Sequence, residues 1–163
     1  MHAAAEAPEL RVTNVCSGLL MATIGPLTLA FWTRKPTPER FEIQRASLAA
    51  DVARRPGEAL FLCVITEPVD PPDEAERLAS ARMISDLGRD LVACAGVIEG
   101  RGFRAAVART VLSGIARLIH SPTKLGFFDE VEPACEWLEK FSPSGALGEV
   151  ISQVTLARAK ALW

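Results

Sequence analysis

Residues 91–138, LVACAGVIEGRGFRAAVARTVLSGIARLIHSPTKLGFFDEVEPACEWL, decide the fold of this chain. The run 91–98 is apolar without alternation, as a strand buried on both faces is, and its Ala-rich middle lets a helix approach closely. Gly100-Arg101-Gly102 forms a turn, after which Phe103, Val107, Val111, Leu112, Ile115 and Ile119 recur at helical spacing until Ser121-Pro122 stops them. Residues 125–128 read as a short strand. Residues 130–141 read as a second helix, with Val131, Ala134, Cys135 and Leu138 inward and Trp137 half-buried. Strands alternating with helices specify a parallel sheet joined by crossover helices.

The same grammar extends toward the N-terminus. Residues 59–65, ALFLCVI, are another continuous apolar strand. Before it, Thr37-Pro38-Glu39 opens a helix, Thr37 capping, Pro38 at the first helical position and Glu39 complementing the dipole, and Pro56-Gly57 ends it. After it, Pro68, Pro71 and Pro72 force an exposed crossover loop, and Asp73 caps a helix running to about Gly88. Residues 15–24 and 27–33 read as a β-hairpin reversing at Gly25-Pro26. The prediction is a single α/β domain with a central mixed, mostly parallel sheet of about five strands, an N-terminal hairpin, flanking helices and an extra C-terminal helix. Residues 1–10 are expected to be a flexible leader, 11–141 the domain, and 142–163 an amphipathic helix with Leu147, Val150, Ile151, Val154 and Ala157 on one stripe. That helix either packs on its own domain or forms an interface.

At 163 residues the chain is long enough for one sizeable core and short for two. A hydrophobic fraction of 49% and a charged fraction of 23% are those of a folded protein, and a net charge of −2 supplies no general field for nucleic acid. No residue from Val12 to Thr33 is charged, about the length that a membrane span needs, but Gly25-Pro26 and the scattered Asn and Thr fit paired strands better. Cys16, Cys63, Cys94 and Cys135 fall in separate elements with apolar or small neighbours and no Cys-x-x-Cys pair. They read as reduced thiols of a cytoplasmic protein, with neither a metal site nor a disulfide framework. No serine elbow, paired carboxylates or P-loop appears, and His120 suits a helix end, so neither catalysis nor a cofactor is expected.

The order of elements resembles a STAS-type domain, the fold of anti-sigma-factor antagonists and of the cytosolic parts of sulfate transporters, over roughly residues 12–140. Residues 124–138, KLGFFDEVEPACEWL, resemble the last strand and helix of the SpoIIAA-like branch through Phe128, Asp129, Ala134, Trp137 and Leu138. In the anti-sigma-factor antagonists the central strand ends in Asp-Ser-Ser-Gly, and a serine there is phosphorylated. Here Glu99-Gly100-Arg101-Gly102 keeps the acid and the last glycine and loses both hydroxyls. The resemblance therefore implies the scaffold and a surface for a protein partner, without the phosphorylation switch.

The candidate site is that turn. Gly100, Arg101, Gly102, Arg104 and Arg109 gather cations at the start of a helix, where free amides and the dipole favour an anion or an acidic partner side chain. The same arginines also suit solvation or pairing with Glu99. Gly100-x-Gly102-x-x-Ala105 loosely satisfies a dinucleotide fingerprint, but Asp129 lies further on than the about 20 residues such a site expects. Two functions follow. One is a non-catalytic regulatory module acting through protein contacts, as a homodimer or with another protein; the other is a small-ligand or lipid-binding protein with an apolar pocket between the N-terminal hairpin and the helices.

Overall fold

The computed structural model describes residues 9–66, 69–70, 72–100 and 102–142, except the side chains at 103–105 and 108. Six strands form one sheet in sequential order: β1 (Leu10–Cys16), β2 (Leu19–Ile24), β3 (Leu27–Trp32), β4 (Ala59–Ile65), β5 (Leu91–Ile98) and β6 (Lys124–Phe128). The first three pair antiparallel, and β3 to β6 pair parallel. The expected mixed α/β sheet is present, with one strand more than the sequence reading counts.

The extra strand arises because residues 15–24 are two strands. The chain reverses at Ser17-Gly18, pairing Cys16 with Leu19, and again at Gly25-Pro26, pairing Ile24 with Leu27. Gly18 has φ +90°, and a Cβ there would stand 2.7 Å from Arg34 Cβ, so both the turn and the close approach require glycine. Residues 12–33 are thus a meander, and no helix among the described residues is long and apolar enough to cross a membrane.

Each parallel step crosses over through a helix: α1 (Pro38–Arg54), α2 (Glu74–Leu87) and α3 (Phe103–Ile115). Because the strands advance steadily across the sheet, right-handed crossovers put all three helices on one face. There Leu48 and Val52 of α1 and Met83 and Ile84 of α2 pack on Met21, Ala30, Trp32 and Phe61. The other face carries α4 (Val131–Glu139), whose Ala134, Cys135 and Leu138 are buried in the layer containing Leu62, Val64, Ala93 and Val97. A bulge at Val92 lets Leu91 and Cys94 face α1 and α2 while Ala93 and Ala95 face α4.

The helix starts follow the sequence. Thr37 accepts the Arg40 amide at 3.3 Å, and Asp73 and Glu76 form a reciprocal capping box. The third helix ends earlier than its apolar periodicity predicts: α3 stops at Ile115, a 3-10 turn covers Ala116–Leu118, and Ile119 is extended. Thr110 and Ser113 donate back to the Ala106 and Arg109 carbonyls, and Gly114 lowers helix propensity, which together weaken the last turn. His120 consequently lies beyond the helix, where its amide donates to Ser85 Oγ at 3.0 Å.

Of the expected extensions, residues 1–8 of the leader and residues 143–163, which hold the C-terminal amphipathic stripe, lie outside the described residues.

Candidate functional site

The carboxyl ends of the parallel strands form one edge of the sheet, where open α/β folds receive ligands. Thr66, just past β4, donates both its amide and its hydroxyl to the Trp32 carbonyl, at 3.0 and 2.9 Å. The Glu99 amide, just past β5, donates to the Ile65 carbonyl at 3.0 Å. Three strand ends are thereby tied together, and the β5–α3 turn projects beyond them.

That turn carries the sequence-derived site. Gly100 and Gly102 both have positive φ, 122° and 93°. A Cβ on Gly102 would meet nothing within 4 Å, so backbone conformation rather than crowding demands glycine there. Gly102 caps α3 without a side-chain bond, and the first turn of the helix holds no acid to compensate its dipole.

Arg109 sits about two turns into α3, one turn before buried Leu112, and its Nη1 is buried with no hydrogen-bond partner among the described residues. Arg101 lies outside the described residues, as does the side chain of Arg104. The structure therefore places Gly100, Gly102 and Arg109 on one turn-and-helix unit, with Arg109 set back from the helix start.

The sequence leads to an apolar pocket between the N-terminal hairpin and the helices, and the structure has an apolar cavity beneath this edge. A cavity of about 90 Å³ runs between the helical layer and β3–β6. Its walls are largely apolar: Trp32, Phe61, Met83, Leu112, Ile115 and Phe127. Partly exposed Pro36 and Pro72, at the entries to α1 and α2, line its outer end with Glu76. It is thus displaced from the space expected under the N-terminal hairpin, because the parallel half of the sheet carries the helical layer.

One polar side chain lies deep in that wall. Gln44 is 3% exposed, on the stripe of α1 that also carries Leu48 and Val52. Its Oε1 accepts from Trp32 Nε1 at 2.7 Å and weakly from the Cys63 thiol at 3.9 Å. Indole nitrogen only donates, so this bond fixes the amide orientation and turns Nε2 toward Met83 Sδ, 3.8 Å away. The signal was a polar residue in register with an apolar stripe.

Electrostatically the described lining of the cavity is neutral inside, and Glu76 at its lip is accompanied by Lys35. Burial pushes the Cys63 thiol up to about 12 and the Cys94 thiol higher still, so both stay protonated and are poor nucleophiles. Glu76, 4.0 Å from Lys35 Nζ, has its carboxyl raised from its ordinary value, chiefly by burial. Among the described residues no three His, Cys, Asp or Glu side chains gather as a metal site.

No family model matches the sequence. No curated protein matches it either. Among solved structures, an uncharacterised protein of the DUF3478 family from Shewanella loihica, described as having a SpoIIAA-like fold, superposes with a TM-score of 0.50. The identity is 17%, and the match covers 85% of this chain and 98% of that one. This chain has the SpoIIAA-like fold that residues 124–138 resemble.

Proposed function

We propose that this chain is a non-catalytic binding module, cytoplasmic and acting through protein contacts, whose working surface is the β5–α3 turn. The observation that carries this reading is the position of Gly100 and Gly102: two positive-φ glycines projecting a turn past three tied strand ends into a helix start without an acid. Arg101, Arg104 and Arg109 would add charge for an acidic partner surface, either another protein or a second copy of the chain. Because Glu99-Gly100-Arg101-Gly102 offers no hydroxyl, occupancy would be governed by partner concentration rather than by phosphorylation at the turn.

A photo-crosslinking residue at position 101, expressed in the native cells, tests this. A discrete crosslinked species is expected there, and none from the same probe at exposed Arg55 near the opposite edge of the sheet. Equal labelling at the two positions would contradict a specific surface.

A second reading, binding of a small apolar ligand, is favoured by the cavity beneath the same edge. The two are compatible, since a ligand entering past Pro36 and Pro72 would reach the space bounded by α1, α2 and α3.

A further inference from the structure

We propose that the cavity takes a small uncharged molecule with an apolar body and one hydrogen-bond acceptor, of the carbonyl class, held on Gln44 Nε2; this rests on the second reading above. Burying an amide in an apolar wall is costly unless its bonds are made, and here they are made on one side only. Oε1 is engaged by Trp32, whereas among the described residues Nε2 has only the thioether of Met83 at 3.8 Å, a weak acceptor. A packing role would be served by leucine, and a structural tie to Trp32 needs only the oxygen. The remaining donor capacity belongs to an acceptor that enters the cavity.

The surroundings define the rest of the ligand. Phe61, Met83, Leu112 and Phe127 offer apolar contact without a cation. Among the described lining residues none is cationic, so a carboxylate inside would be buried unpaired. The volume, about 90 Å³, exceeds the roughly 10–15 Å³ that one water requires and suits a small ring or short chain.

Three probes and two variants test the assignment on the full chain: cyclohexanone, its near-isostere methylenecyclohexane, and cyclohexanecarboxylate, titrated by nuclear magnetic resonance. Cyclohexanone is expected to shift the Gln44 side-chain amide and the Trp32 indole signals. It should bind about tenfold tighter than methylenecyclohexane, because one hydrogen bond to a buried donor is worth about that ratio. Gln44→Met is expected to abolish the preference, and Met83→Leu, which keeps the amide, to retain it. If Gln44→Met does not fold, the amide shift and the ketone preference of the wild-type chain still decide. Equal binding of ketone and alkene would overturn the hydrogen-bonded assignment while leaving an apolar ligand cavity standing. Tightest binding of the carboxylate would overturn the uncharged class. Failure of all three to bind would overturn both the assignment and the reading on which it rests.

Discussion

Gly126 shows how one missing atom positions the end of the sheet. It lies under the Phe128 ring, and a Cβ there would stand 2.8 Å from that ring and 3.2 Å from Trp137. Phe128, Trp137 and Phe141 form an aromatic row with centroid separations of 5.7 and 4.9 Å. Gly126→Ala should therefore displace the row and cost about 1–3 kcal/mol, measured by urea denaturation. An unchanged midpoint would mean that the row shifts freely. The thiols give a second test at this scale. With Cys63 pushed up to about 12 by burial, and Cys94 higher, both should resist iodoacetamide at pH 8 and react only on unfolding, read by intact mass. Prompt alkylation mapped to Cys63 or Cys94 by peptide mass would contradict the neutral cavity wall, whereas partly exposed Cys16 lies outside it.

Among the elements, α2 links stability to pH. Glu76 closes the capping box with Asp73 while burial raises its carboxyl above the ordinary value. A carboxyl that holds its proton more tightly when folded favours folding as pH falls through that window, and the advantage is lost as pH rises above it. Glu76→Gln, which can still bond the Asp73 amide, should thus be more stable than wild type at pH 7, with the gain shrinking toward about pH 4. Thermal unfolding across pH checks this, and a gain that grows on acidification would reverse the sign. Asp73→Ala, which removes the cap itself, should cost about 1 kcal/mol by denaturation.

Legibility also differed by element. Strands β4 and β5 and the caps Thr37 and Asp73 were readable because continuous apolar runs and capping chemistry are local signals. The break at Ser17-Gly18 was not, since apolar residues flank it on both sides and the reason for the glycine is Arg34, a contact distant in sequence. The early end of α3 was hidden for a related reason: Ile119 keeps the helical spacing although the chain there is extended.

For the whole molecule, the sequential strand order is what unites surface and cavity. Three crossovers on one face stack α1, α2 and α3 over β3–β6, and the same crossovers bring the carboxyl ends of these strands to one edge. The turn at Gly100–Gly102 was legible as a glycine-rich helix start. An apolar pocket was expected, but its lining was not legible, because it belongs to no segment and draws on residues from Trp32 to Phe127. Gln44 marks it only once α1 is known to face β3 and β4. The proposed role of this edge and of the cavity beneath it is to hold a partner or a ligand. Native mass spectrometry of the chain purified from its own cells should then show a non-covalent complex with a second copy, another protein or a small molecule; a bare monomer throughout would contradict the proposed binding role.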